Sequence, residues 1–141
     1  MNATATESFE NLVSKLTDIS PRILLVEDDQ YDIETGIGIF NSINCKLDIA
    51  TDGEDAINKL KRCAACYSIV FLDLKLPVVD GIGVLKHMKE FLPSVPVIIV
   101  TGFPEGILIN EAANLGYVSI LSKPLTSVTV KEVLQKHNIK Y

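Results

Sequence analysis

Polar side chains with complementary chemistry follow the apolar runs of this sequence, each where a run ends. Three carboxylates, Glu27, Asp28 and Asp29, come directly after the run ILLV at residues 23–26. Another carboxylate, a hydroxyl and an ammonium group follow three further runs, at Asp73, Thr101 and Lys123. Adjacent carboxylates repel one another and burial increases the repulsion, so the acidic residues need a positively charged partner.

This combination of groups is suited to accepting a phosphoryl group. Clustered carboxylates bind hard cations, and Mg²⁺ takes a few carboxylate or carbonyl oxygens while keeping several waters. A carboxylate beside such an ion can attack phosphorus and form an aspartyl phosphate. The phosphoryl group then needs positive charge and hydrogen-bond donors, which Mg²⁺, the lysine and the hydroxyl supply. The residues predict a metal-assisted phosphoryl acceptor.

The apolar runs have the pattern of buried parallel strands. Residues 23–26, 69–72 and 96–100 are apolar without alternation, which is typical of strands covered on both faces. Residues 46–50 and 117–121 are weaker candidates. Apolar residues at helical spacing follow each strand, around residues 33–40, 56–60, 84–92, 108–115 and 130–134. Five strand–helix units predict an α/β fold with a central parallel sheet, whose carboxyl edge collects the polar residues.

A further helix is predicted ahead of the first strand. Phe9, Leu12, Leu16 and Ile19 recur at helical spacing, and Pro21 interrupts the pattern. We therefore divide the chain into an N-terminal helical extension over residues 1–20, packed on the domain or on a partner, and one domain over residues 21–141.

Composition excludes several classes of protein. The net charge is −5, and no basic stripe is present, which argues against nucleic-acid binding. The longest apolar run, residues 95–100, is too short to cross a membrane. The first ten residues lack the basic and apolar regions of a signal peptide. We expect a cytoplasmic protein.

Two of the three cysteines form the stretch CAAC at residues 63–66. A redox pair would lie at a helix N-terminus, but Cys63 extends an apolar stripe near the C-terminal end of a predicted helix. A zinc site would need two more soft ligands, and the only histidines, His87 and His137, are far along the chain. We interpret these cysteines as small buried or half-buried side chains.

The strand-end residues resemble those of a known family, the response-regulator receiver domain of two-component signalling. VEDD, FLDLKLPVVDG, VIIVTG and LSKP are similar to its four signature blocks, in the same order, within about residues 21–138. The resemblance implies a doubly wound, flavodoxin-like (CheY-like) sheet of five parallel strands in the order 2-1-3-4-5. It also implies a phosphorylation switch in a phosphorelay.

The resemblance assigns roles to single residues. Asp73 would be the phosphorylation site, Glu27 and Asp28 the acidic pair, and Asp28 a direct Mg²⁺ ligand. Lys75 would give its backbone carbonyl to the metal. Thr101 would be the switch hydroxyl, and Lys123 would contact the phosphoryl group and precede a cis bond to Pro124. Asp29 is more simply explained as the cap of the next helix, whose N-terminus favours negative charge, and Asp80 as a cap or turn residue.

One position departs from the family pattern. The residue three before the lysine is usually aromatic and moves with the threonine, but here it is Ile120. The departure concerns the output of the switch and leaves the acceptor chemistry untouched. Ile107, Ile109 and Tyr117 are more apolar than an exposed surface requires, which indicates a protein partner, a homodimer or packing against the N-terminal helix.

The residues leave three functions open. The first is a single-domain response regulator that accepts phosphoryl from a sensor histidine kinase or a histidine phosphotransfer protein and signals by contact with a target protein, without a DNA-binding output domain. The second is a constitutive interaction module with the receiver fold, supported by Ile120. The third, a phosphatase, is disfavoured because Lys75 occupies the place of the second acid. We expect no enzymatic turnover beyond slow self-dephosphorylation.

Overall fold

A computed structural model describes residue 9, residues 20–104 and residues 106–141. From residue 20 onward, strands and helices alternate along the described chain. The strands are β1 (Arg22–Val26), β2 (Lys46–Ala50), β3 (Ile69–Leu72), β4 (Val97–Thr101) and β5 (Ile120–Ser122). The helices are α1 (Gln30–Ser42), α2 (Gly53–Arg62), α3 (Gly81–Phe91), α4 (Ile107–Asn114) and α5 (Ser127–Lys136).

The strands form one parallel sheet in the order β2-β1-β3-β4-β5, which confirms the predicted fold. Successive side chains of a strand point to opposite faces. Leu25 and Phe71 pack on one face with residues of α1 and α5. Leu24 and Leu72 pack on the other face with residues of α2, α3 and α4. Because both faces are covered, the central strands are apolar throughout and show no alternation.

The fifth strand begins later than the sequence predicts. Tyr117, the predicted first residue, still belongs to the end of α4, because its backbone N–H donates to the carbonyl of Ala112 at 3.0 Å. Gly116 before it has a φ of +95°, a left-handed conformation typical of a helix C-terminus. The ladder with β4 starts only at Ser119, whose carbonyl accepts from Ile99 at 2.9 Å. Helix capping therefore shortens the strand.

The predicted helix over residues 1–20 lies almost entirely outside the described residues. Within residues 1–19 only Phe9 is described, and it is helical with an exposed side chain. Across the ranges that are described, no helix is both long enough and apolar enough to cross a membrane.

The CAAC stretch corrects the sequence-based interpretation. Cys63 lies at the C-terminal end of α2 and is half-buried, but it forms a disulfide with Cys66. A 3₁₀ turn over Ala64–Cys66 brings the two Cα atoms to 5.3 Å, within the range that a disulfide spans. Cys66 is exposed, and Cys45 is a buried free thiol. The position of Cys63 at the end of a helix does not exclude a disulfide, because the turn after the helix decides whether the two sulfurs meet.

The loop between β3 and α3 contains a strained residue. The N–H of Gly81 donates to the carbonyl of Leu74 at 2.9 Å and closes the loop behind Asp73. Val78 has a φ of 67°, a left-handed conformation that is unfavourable for a β-branched residue. The side chain is 76% exposed, so burial does not compensate for the strain.

We expect Val78→Asn to stabilise the protein by about 1 kcal/mol, because asparagine tolerates the left-handed region. Thermal unfolding followed by circular dichroism should show a midpoint that is higher by a few degrees. Val128→Asn is a matched control, since Val128 is also exposed but lies in α5. An equal rise in both variants would show that backbone strain is not the cause.

Candidate functional site

The predicted site residues lie at the carboxyl edge of the sheet. β1 and β3 are neighbours in register, with Val26 paired to Leu72, so the residues after both strands leave the sheet side by side. The ladder continues one step further, because the N–H of Asp73 donates to the carbonyl of Val26 at 3.0 Å. This register places Asp73 beside Glu27.

Lys123 follows β5 and contacts the carboxylates of Glu27 and Asp73 at the carboxyl edge. Its backbone N–H donates to the carbonyl of Thr101 at 2.8 Å, which holds the residue after β5 against the end of β4. The Lys123–Pro124 bond is cis, which confirms the implied isomer. Lys123 Nζ donates to Asp73 Oδ2 at 2.8 Å and to Glu27 Oε1 at 2.5 Å. The lysine therefore bridges two carboxylates.

Asp32 is a member of the site that the sequence interpretation missed. Its Oδ2 accepts a third hydrogen bond from Lys123 Nζ, at 3.0 Å. Asp32 lies in the first turn of α1, where its N–H donates to Asp29 Oδ1 at 2.9 Å. This bond confirms Asp29 as a helix cap. The signal that was overlooked is an acid in the first turn of the helix that follows β1.

Three carboxylates of the edge are close enough to share one cation. Glu27, Asp28 and Asp73 each offer an oxygen, and these oxygens lie within 4.8 Å of one another. Glu27 is 3% exposed and Asp73 is 9% exposed, whereas Asp28 faces solvent. The N–H of Asp28 donates to Glu27 Oε2 at 3.0 Å. A set of hard oxygen ligands with one open side fits Mg²⁺, which keeps part of its hydration shell.

Burial and neighbouring charges shift the ionisation of this cluster. Burial raises the pKa of Glu27 to about 8, with a further increase from its hydrogen bond and repulsion with Asp73, and Lys123 opposes the rise. Burial alone would lower the pKa of Lys123, but its hydrogen bonds with Asp73, Glu27 and Asp32 raise it above the usual range. Lys123 is therefore a constant cation, and Glu27 retains a proton near neutral pH.

We expect the free energy of unfolding, measured without divalent cations, to fall as pH rises from about 5 to 8. Between the usual pKa of 4.5 and the folded value of about 8, Glu27 holds a proton in the folded state but loses it in the unfolded state. Stability falls with pH wherever the folded state binds more protons. Urea unfolding at several pH values measures the slope, and Glu27→Gln should flatten it. An equal slope in that variant would contradict the assignment.

The loops after β3 and β4 meet beside Asp73. The backbone N–H of Lys75 donates to Asp73 Oδ1 at 3.0 Å, so both carboxylate oxygens accept hydrogen bonds. The Lys75 ammonium lies over the ring of Phe103, 4.6 Å from its centroid. Thr101 Oγ1 accepts from the N–H of Phe103 at 3.0 Å and donates to its carbonyl at 3.2 Å. Phe103 therefore connects the hydroxyl of Thr101 with the loop that follows Asp73.

Four apolar residues were singled out from the sequence, at positions 107, 109, 117 and 120, and their surroundings differ. Ile120 begins β5 and is half-buried against the core. Ile109 and Tyr117 pack on the same core, and the Tyr117 hydroxyl donates to the carbonyl of Leu85 at 3.4 Å. Ile107 is 76% exposed. Packing within the domain explains Ile109 and Tyr117, but it does not explain Ile107.

Comparisons with known proteins agree with this geometry. The family model of the response regulator receiver domain matches residues 23–135. Sporulation initiation phosphotransferase F of Bacillus subtilis is 30% identical over 115 residues, which cover 81% of this chain and 91% of that protein. Transcription factor SKN7 of Chaetomium thermophilum is 29% identical over 128 residues, which cover 91% of this chain. The chain spans only 17% of the length of that transcription factor.

A solved structure shares the architecture. A chain in the CheX-CheY-BeF3-Mg complex from Borrelia burgdorferi superposes with a TM-score of 0.74 and 29% identity, covering 82% of this chain and 88% of that one. The strand order and the acidic carboxyl edge found here agree with the family match over most of the sequence. This chain therefore belongs to the response regulator receiver domain family of two-component signalling.

Proposed function

We propose that this receiver domain is a phosphorylation-dependent switch that accepts a phosphoryl group on Asp73. The observation that carries the proposal is the contact of Asp73 Oδ2 with the Lys123 ammonium at 2.8 Å, next to acids that fit Mg²⁺. A carboxylate held between a fixed cation and a metal-binding cluster is oriented for attack on phosphorus. An aspartate that merely ended a strand would not need these partners.

The proposed reaction transfers one phosphoryl group from a phosphohistidine of a sensor histidine kinase or a histidine phosphotransfer protein. A carboxylate oxygen of Asp73 forms a bond to phosphorus as the P–N bond to the donor imidazole breaks. The imidazole keeps the bonding electrons and takes up a proton. Lys123 offsets charge on the phosphoryl oxygens. Mg²⁺, when bound by Glu27, Asp28, Asp73 and the Lys75 carbonyl, neutralises charge on the same oxygens.

We propose that Thr101 and Phe103 transmit the modification. Donation from Thr101 Oγ1 to a phosphoryl oxygen requires the hydroxyl to give up its bond to the Phe103 carbonyl. The loop after β4 would then move relative to Lys75. Phe103, Ile107 and Lys75 line a cavity of about 440 Å³ on this side of the domain. A target protein, or a second copy of the chain, that binds one loop arrangement better would read the switch.

The net charge and the loop after Asp73 also indicate the type of reaction and the kind of partner. Lys75 stands two residues after Asp73, where a phosphatase would need its second acid, so we propose a phosphoryl acceptor with at most slow self-dephosphorylation. The net charge of −5 favours protein partners over nucleic acid or membrane surfaces. We propose a cytoplasmic site of action, where the phosphohistidine donors would meet this domain.

The test is incubation with acetyl phosphate and Mg²⁺, followed by intact-mass spectrometry. The expected result is a mass gain of one phosphoryl group that disappears after treatment with hydroxylamine, which cleaves acyl phosphates. No gain under conditions that label an ordinary receiver domain would overturn the proposal. Continuous release of inorganic phosphate would instead indicate a phosphatase.

A second candidate function is an interaction module that acts without phosphorylation. The observation that favours it is Ile120, which is half-buried at the start of β5 and lacks the aromatic ring of the family switch. The two functions differ in their response to beryllofluoride, which mimics a phosphoryl group on aspartate. Amide chemical shifts of residues 101–109 that move on beryllofluoride addition support the switch, and shifts that stay unchanged support the constitutive module.

We expect the three adjacent acids to contribute unequally to Mg²⁺ binding. Asp28→Ala should abolish binding and Glu27→Ala should weaken it, because both offer oxygens to the acidic cluster. Asp29→Ala should barely change it, since Asp29 caps α1, although loss of the cap should cost about 1 kcal/mol of stability. Isothermal titration calorimetry with Mg²⁺ measures the affinities. Similar losses in all three variants would show that this division is wrong.

A further inference from the structure

A second cavity with reactive groups lies at the end of the sheet opposite to Asp73. Arg22 is the first residue of β1 and Tyr67 lies two residues before β3, so both residues mark the amino edge of the sheet. They line a cavity of about 420 Å³ together with Cys63 and Cys66. This volume is within the range of small-molecule sites in proteins.

Cationic side chains predominate around the disulfide. Arg22, Lys59 and Arg62 line the cavity, and Asp48 is the one acid among the described residues that line it. Arg22 pairs with Asp48 at 2.8 Å, and Lys59 pairs with Asp55 outside the cavity lining at 2.7 Å. Arg62 forms no ion pair with any described residue and is exposed. Within the described part of the chain, Arg62 is thus a cavity charge without an ion pair, and the cavity favours an anion.

The disulfide is accessible and contributes little to stability. It links residues only three positions apart, so it removes less entropy from the unfolded chain than a disulfide across a long loop. Cys66 is exposed, whereas Cys63 is half-buried at the end of α2. Cysteine reactivity increases with exposure and with nearby positive charge, and both are present here. In a cytoplasmic protein, as proposed above, disulfides are mostly catalytic or redox-sensing.

We propose that Cys63 and Cys66 form a thiol–disulfide exchange site whose co-substrate is an anionic small peptide thiol of the glutathione type. The co-substrate thiolate attacks Cys66 Sγ, the bond between the two sulfurs breaks, and Cys63 leaves as a thiolate that takes up a proton. A second co-substrate thiolate attacks the outer sulfur of the mixed disulfide and releases the Cys66 thiolate, which is also protonated. The protein disulfide is reduced to a dithiol as two thiols are oxidised to one disulfide.

The basic side chains favour this exchange in two ways. Arg62 and Lys59 attract the carboxylates of the co-substrate and raise its local concentration. They also lie near the departing Cys63 thiolate, at a helix C-terminus whose dipole would otherwise disfavour negative charge. The exchange takes place at the edge opposite to Asp73 and requires none of the acceptor residues.

The test compares two thiols on the folded protein, with residues 1–141 all present. Reduced glutathione carries carboxylates and 2-mercaptoethanol carries none, and the rate of disulfide opening is followed by rapid alkylation and peptide mass spectrometry. At low salt, we expect Arg62→Gln to slow reduction by glutathione at least about threefold more than it slows reduction by 2-mercaptoethanol. Lys136→Gln, which removes a charge from the last turn of α5, should change neither rate.

A trapping experiment tests the order of the steps independently of charge. In Cys63→Ser, oxidised glutathione should form a mixed disulfide with Cys66 on the folded protein, whereas buried Cys45 should remain unmodified. Three outcomes would overturn the proposal. They are a disulfide that stays intact in the folded protein with glutathione, an equal effect of Arg62→Gln on both thiols, and glutathione found on Cys45 instead of Cys66.

Discussion

Asp73→Asn is expected to abolish covalent phosphorylation of this protein while the fold remains intact. An amide cannot form the acyl phosphate, yet it has nearly the same shape as the carboxylate, and its oxygen can still accept from Lys123 Nζ or from the Lys75 N–H. The substitution also removes a negative charge from a crowded acidic cluster, so the thermal midpoint should not decrease. Intact mass after acetyl phosphate treatment and thermal unfolding measure both effects.

Asp80→Asn is the matched control for this result. Asp80 lies in the same loop and caps α3, with its Oδ1 accepting from the N–H of Gly83 at 3.0 Å. Asparagine caps helices as well as aspartate does, so this variant should fold and be labelled normally. Labelling of Asp73→Asn at the wild-type rate, or loss of labelling in Asp80→Asn, would contradict the choice of acceptor.

Lys123→Met is expected to slow phosphorylation about 10²- to 10³-fold, the usual effect of removing one charge-stabilising donor from an active site. The change leaves the carboxylates of Glu27, Asp32 and Asp73 without the ammonium group that all three contact. The protein should be less stable than the wild type, because the three neighbouring carboxylates lose the cation that they share. Labelling time courses and urea unfolding measure these changes.

Lys75→Met separates the role of Lys123 from a general loss of positive charge near the acceptor. The Lys75 ammonium lies over Phe103, and its contact with Asp73 is made by the backbone N–H, which the substitution retains. This variant should therefore be phosphorylated within a few-fold of the wild-type rate. If Lys75→Met and Lys123→Met were slowed equally, electrostatic attraction of the anionic donor would explain both effects better than direct contact.

The sheet could be predicted from the sequence because its signal is local. A run such as residues 69–72 is apolar at every position, and only a strand covered on both faces needs that pattern. The end of a strand is less predictable. Residues 117–119 are apolar enough for a strand, but Gly116 and Tyr117 use their N–H groups to close α4, and β5 starts after them.

Some of the site residues could likewise be predicted from the local sequence, and others could not. Glu27, Asp73 and Lys123 could be predicted because each directly follows a strand, and parallel strands end at a common edge. Asp32 could not be found in this way, because its role depends on the direction in which the first turn of α1 faces Lys123. The connection from Thr101 through Phe103 to Lys75 likewise requires two loops to meet.

The sequence by itself determined the fold class, the acidic carboxyl edge and the family, because residue type and strand ends are local properties. The tertiary structure decided which groups share a proton, a cation or a bond. It brought three carboxylates onto one ammonium group at Lys123. It also joined Cys63 to Cys66 beside Arg62, through a turn that helix periodicity does not predict. Such contacts depend on chain direction after an element ends, which long-range packing determines.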